Sequence, residues 1–271
     1  MDKLLSLFPK GSGHFSQSFD HFSKEWGKML QFQTIVTFGV PPAEAKYSDY
    51  VLEFIQEMKP SGQFPDVLID SEKFFIEGKD KEFAIAGARE AVKHVLGVAN
   101  SMTLLWGHTI LENSLQNFLQ IILAVSPTSF YNEIEVNSQT VTIKQARDPK
   151  FETVLKEKVT KYVKALERDG FITKCDVLLR IVGSENHKYS SNSYKYNREE
   201  LTKINERRHD VAHGRNLTLT RPQVDNDLNY LFHTFGYFFY LMHEKFDLKI
   251  SAYPKIMEEL KKRDSDLENL P

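Results

Sequence analysis

Cysteine occurs once in this chain, at Cys175, so no intramolecular disulfide can form and the fold must rest on packing. Long hydrophobic runs are missing as well. The most apolar stretch, residues 104–125, is interrupted by His108, Glu112, Asn113, Gln116, Asn117 and Gln120, whereas a membrane span needs about 20 mostly apolar residues. The N-terminus lacks the basic start, apolar run and small-residue cleavage site of a secretory leader, so the expected location is cytoplasmic, with no membrane partner. Neither sign of charge dominates, since 35 Lys+Arg stand against 37 Asp+Glu for a net charge of −2. That balance excludes a general nucleic-acid coat. No internal repeat and no low-complexity tract is visible. What is present, 41% hydrophobic and 27% charged residues in 271, is the composition of an ordinary folded globular protein. Its charge is unevenly placed: residues 144–221 hold 18 Lys+Arg and 11 Asp+Glu, a surplus of 7, which leaves −9 for the rest. Such asymmetry suits one local site for a polyanion.

Hydrophobic periodicity divides the chain into three parts. Residues 1–80 read as a small α/β extension. Phe32, Thr34, Val36 and Phe38 alternate as a strand does, residues 47–58 are a short amphipathic helix, and residues 67–69 and 74–76 are strand candidates. Residues 81–250 are mostly α-helical. One helix through Val125 would be about 69 Å long, so a break is expected between Gly97 and Ser101. Ile134, Val136, Val141 and Ile143 around Asn137-Ser138 suggest a short β-hairpin insertion. A helix over residues 151–169 stops at Gly170, and residues 184–197 form an exposed loop. Residues 198–213 are helical up to Gly214, and Thr220 with Pro222 opens a last long helix to Phe246. Residues 251–271 read as a polar tail.

Chemistry concentrates in residues 208–213, Arg-His-Asp-Val-Ala-His. On a 100° wheel with Asn205 at zero, Leu201, Ile204, Val211 and Ala212 fall between about 240° and 340°, and Arg208 falls among them at about 300°. A guanidinium cannot escape burial by losing its proton, so an Arg on an apolar face requires a partner or an anion. Asn205, His209 and His213 lie along the border of the same sector, at about 0°, 40° and 80°. Cleaving RNA through attack by the ribose 2′-hydroxyl needs a base, an acid and a cation for the non-bridging oxygens, with no metal or cofactor. Histidine, titrating near pH ~6.5, can move either proton, and arginine supplies the cation.

Arg208, His209 and His213 resemble the hallmark of HEPN domains: Arg, a polar residue, three further residues and His, near the end of the penultimate major helix of an up-and-down helical bundle. The resemblance covers roughly residues 80–249. It implies a homodimer in which two motif-bearing helices meet in a cleft. It also implies a metal-independent endoribonuclease acting on RNA, often a toxin with a neutralising antitoxin or an antiviral defence effector. Arg208, His209 and His213 would then be catalytic. Some HEPN domains bind nucleotides or RNA without cutting, which is the alternative.

Four further residues are candidates for substrate binding: Asn205, Arg207, Arg215 and Glu112. Arg207 and Arg215 flank the motif and could touch phosphates, although Arg207 is also placed to pair with Glu200 or Glu206. Glu112 is a candidate partner for Arg208. The Tyr189–Tyr196 loop, with Lys188 and Lys195, could stack bases or be an ordinary solvated loop, and His233 and His243 read as packed residues. A metal-dependent phosphohydrolase is a further reading, with His209 and His213 at i and i+4, or His209-Asp210 joined by His187 and Asp225 or Asp227. Neither version accounts for Arg208 on the apolar face.

Overall fold

A computed structural model describes residues 2–58, 80–137, 151–183, 195–215 and 218–268. These residues form helices and no strand. In chain order they are α1 (Asp2–Leu5), α2 (Ser12–Met58), α3 (Asp80–Val125), a 3₁₀ turn (Pro127–Phe130), α4 (Tyr131–Asn137), α5 (Phe151–Leu166), α6 (Phe171–Val182), α7 (Arg198–Ala212), α8 (Arg221–Phe246) and α9 (Pro254–Glu268). None is long and apolar enough to cross a membrane.

Two helices of 47 and 46 residues, α2 and α3, pack together along much of their length, and α8 packs on both through an aromatic core. The α2 residues Phe15, Phe22, Trp26 and Met29 are buried at the alternating three- and four-residue spacing that keeps one stripe facing a neighbour. In α8, Val224, Leu228, Leu231, Phe235, Phe238 and Met242 follow the same rule. The two stripes meet ring on ring: Phe22 stacks on Phe235 at 3.5 Å between centroids, and Phe15 stacks on Phe239 at 4.1 Å. Helix α3 carries apolar residues all round because it touches α2, α8, α7, α6 and α5.

Several sequence expectations are corrected. Phe32, Thr34, Val36 and Phe38 lie within α2, not in a strand, and their alternation is a surface feature, with Phe38 77% exposed. The α/β extension is therefore helical over residues 12–58, while the strand candidates at 67–69 and 74–76 lie outside the described residues. Pro41 and Pro42 do not end α2, although they take the N–H partners from the carbonyls of Thr37 and Phe38. The break expected at Gly97–Ser101 is absent too. Gly97 instead allows a close approach, for a Cβ there would sit 2.9 Å from the Thr218 backbone Cα.

Ile134 and Val136, expected in a hairpin, belong to α4, and Val141 and Ile143 lie outside the described residues. The buried Glu133 carboxylate fixes α4 by accepting from Arg180 Nε at 2.8 Å and Nη2 at 2.7 Å. Helix α6, which supplies Arg180, adds an element that the sequence does not predict. The stretch read as a polar tail forms α9, whose Ile256, Leu260 and Asp264 share one buried face. Asp264 is 1% exposed and accepts from the backbone N–H groups of Gly11, Gly13 and His14, at 3.0, 2.8 and 3.2 Å. A carboxylate from the far end of the chain thus holds the start of α2, where the helix dipole favours negative charge.

Asp264→Ala should strand three N–H groups and lower stability by about 2 kcal/mol or more. A denaturant midpoint unchanged from wild type would refute the role given to this cap.

Candidate functional site

Helix α7 begins where the Asn197 side chain accepts from the N–H groups of Glu199 and Glu200, at 2.9 and 3.4 Å. Arg198 grips Asp176 of α6 through Nε and Nη2, each at 2.9 Å at its nearest. One face of α7, made by Leu201, Ile204 and Val211, is buried against α3 and α6. The helix ends at His213, and Gly214 follows with a φ of +69°, which the missing side chain permits.

Arg207 and Arg208 are adjacent but do different things. Arg207 donates from Nε to Asp227 Oδ2 at 2.8 Å and from Nη2 to Oδ1 at 2.5 Å, with Glu200 at 3.8 Å. It is a bidentate tie from α7 to the buried Asp227 of α8, not a free phosphate contact. Burial pushes the Asp227 carboxyl up and Arg207 pulls it down, while that hydrogen-bonded pairing raises the Arg207 guanidinium further. Arg208, one residue on, turns toward α3. Its Nε is buried without a hydrogen-bond partner, and no carboxylate among the described residues lies within ion-pair reach.

Beside Arg208 stands His108 of α3, a residue the sequence reading did not single out. Its side chain is 1% exposed, and neither ring nitrogen makes a hydrogen bond. The Phe171 ring covers it at 4.4 Å between centroids, and Glu112 Oε2 lies 3.9 Å from Nδ1. Burial pushes the imidazole down to about 4 and the Arg208 charge adds to this, while Glu112 and the Asn205 amide oppose it. Glu112 does not pair with Arg208 as expected. Lys174 of α6, itself 4% exposed, takes that carboxylate at 3.0 Å and also donates to the Glu167 carbonyl at 3.3 Å. The cluster therefore gathers Arg208, Asn205, Glu112, His108 and Lys174, and among the described residues no carboxylate pairs with Arg208.

The remaining candidates lie at the exposed end of α7. His209 and His213 stand edge to face with ring centroids 4.3 Å apart. Arg215 is exposed and reaches Asp210 at 3.7 Å. Of the loop candidates, residues 184–194 lie outside the described set, and Tyr196 packs on Tyr237 and Phe238. His243 bonds through Nδ1 to the Leu248 carbonyl. For the metal reading, no group of three or more His, Cys, Asp or Glu among the described residues is arranged to hold an ion. His187 lies outside those residues, Asp225 is held by Arg221 and Gln33, and Asp227 by Arg207.

The chain contains a second Arg-x4-His spacing, from Arg89 to His94 on α3. There Arg89 is 69% exposed and donates to Glu44 at 3.2 Å, and His94 is exposed. No family model, curated protein or solved structure matches this chain.

Two outcomes follow from this geometry. Removing Arg207 leaves Asp227 a buried carboxylate without its cation, so Arg207→Ala should cost about 2–3 kcal/mol. Adding Asp227→Leu should restore part of that loss in urea unfolding, and an unrepaired double variant would refute the pairing. The second outcome concerns pH. Below about 6.5 the unfolded chain binds a proton that folded His108 refuses until about 4, so stability falls through that window by about 3 kcal/mol. His108→Gln should lose less between pH 7 and pH 4, and parallel stability profiles would refute the assignment.

Proposed function

We propose that this chain is a metal-independent endoribonuclease of HEPN type, working as a homodimer in which two α7 helices face one cleft. The observation that carries this reading is Arg208, whose partly buried guanidinium has no carboxylate partner among the described residues although Glu112 stands within the same cluster, committed to Lys174. A cation held in this way suits an oxyanion, and a phosphodiester offers two non-bridging oxygens to a planar fork. His209 and His213, paired edge to face on the same helix, are the groups offered for proton transfer.

In this mechanism one histidine removes the proton of the ribose 2′-hydroxyl, whose oxygen attacks phosphorus. Arg208 stabilises the charge that builds on the non-bridging oxygens. A second histidine, from the same motif or its dyad mate, protonates the departing 5′-oxygen. His213 is the principal acid or base, and His209 orients it or shares the transfer. Asn205 and Arg215 flank the substrate path.

Purified protein should cut single-stranded RNA in EDTA and leave 2′,3′-cyclic phosphate ends. Arg208→Ala and His213→Ala should each slow cleavage by about 100-fold or more. A requirement for added divalent metal, or His213→Ala cutting as fast as wild type, would overturn the mechanism. Saturable RNA binding that Arg208→Ala abolishes, with no product formed, would instead identify a binding module.

A further inference from the structure

A second polar site lies between the first turns of α2 and the last turns of α3. His14, Gln17, Ser18 and His21 project from α2 at three- and four-residue spacing, and Asn117 and Gln120 face them from α3. Ile121 and Ala124 provide an apolar floor, and the cavity has a volume of about 400 Å³, a size that holds one small organic ligand.

Ser18 marks the cavity as more than a surface groove. It is 5% exposed, and its Oγ is buried with no hydrogen-bond partner. Six other hydroxyls of α2 and α3, on Thr34, Thr37, Ser101, Thr103, Thr109 and Ser114, bond back to the carbonyl four residues earlier, and Ser16 donates to the Lys249 carbonyl. Ser18 forgoes that bond while lining the cavity. A buried hydroxyl left unsatisfied is costly, and a ligand group would relieve it.

Charge narrows the ligand class. Among the described residues no Lys, Arg, Asp or Glu side chain lines the cavity. The start of α2, which could otherwise attract an anion, is already occupied by the Asp264 carboxylate. The ligand is therefore an uncharged polar group. Gln17 and Asn117 offer carboxamides, and Gln120, whose Nε2 donates to Glu167 at 3.2 Å, keeps its carbonyl oxygen as an acceptor. A carboxamide sets a donor beside an acceptor, the arrangement that matches the edge of a nucleobase, and imidazole faces such as those of His14 and His21 stack on base planes.

We propose that this cavity binds a nucleobase, carried by a free nucleoside or by an unpaired position of RNA. The proposal does not rest on the ribonuclease reading. Isothermal titration of the full chain with adenosine, guanosine, cytidine and uridine should give one saturable site for at least one of them, and ribose should give none. Ser18→Val and Gln17→Ala, checked for unchanged melting temperature, should each weaken binding by about tenfold, the effect of one lost hydrogen bond. Arg208→Ala should bind as wild type does, whether or not the protein cuts RNA. Displacement of the nucleoside by a single-stranded oligoribonucleotide would identify RNA as the source, and failure to displace it would identify the free nucleoside; both uphold the site. Binding by ribose alone, binding by no nucleoside, retention of full affinity in both cavity variants, or loss in Arg208→Ala would overturn it.

Discussion

Arg207 and Asp227 fix how α7 is turned, and the candidate site depends on that rotation. The helix offers the core only Leu201, Ile204 and Val211, a narrow stripe that leaves angular freedom for an element of 15 residues. Successive side chains on a helix diverge by 100°, so once Arg207 is clamped to α8, Arg208 must point toward α3. The clamp is firm because Asp227 sits between Val224 and Leu228, in the part of α8 that the core already holds. Arg198, bound to Asp176, pins the other end of α7. Two ion pairs thereby convert a weakly amphipathic helix into a rigid mount.

The wall that faces Arg208 explains why its charge survives. Leu104, His108, Leu111, Leu115, Phe118 and Ile122 follow one three- and four-residue stripe along α3, so His108 occupies a position where every other member is apolar. Burial holds it neutral, and it adds no second positive charge next to the guanidinium. Glu112 lies one turn further on and could have quenched Arg208, but Lys174 reaches it first from α6. Of the charges gathered here, Glu112 and Lys174 cancel, His108 contributes none, and Arg208 is left without a partner among the described residues.

Local signals were legible in the sequence where the structure satisfies them locally. Gly214 ends α7 through its own φ, and the Thr220 capping box with Pro222 opens α8 at the expected position. The same kinds of signal misled where distant residues decide. Gly97 reads as a break, yet its missing side chain serves contact with Thr218 across the fold. Pro41-Pro42 is a pair that ordinarily punctuates a sequence, yet it lies inside α2, where Arg89 of α3 bonds to the neighbouring Glu44. Helix α9 has few apolar positions and is held by Asp264, whose N–H partners lie some 250 residues earlier. A helical wheel puts Arg208 on the apolar face, but its surroundings are not legible there, because Lys174 and Phe171 come from α6, a helix without a clear sequence signal. His108 was visible as the polar member of an apolar stripe and could have been found by following the α3 register.

The two Arg-x4-His spacings show what a motif of this kind consists of. At Arg89 the spacing lies on a solvated helix face, and Glu44 neutralises the cation. At Arg208 the same spacing puts the cation against the core. Other charged groups buried in the bundle are matched: Glu133 by Arg180, Asp227 by Arg207, Lys174 by Glu112, and Asp264 by three backbone N–H groups. A partly buried guanidinium with no partner among the described residues lowers stability there, because its desolvation is not offset. Packing does not require that loss, since a leucine would fill the same sector of α7. Among the described residues the bundle matches its other buried charges and leaves the Arg208 Nε without a partner, and the spacing alone would not have distinguished this Arg from the solvated one on α3.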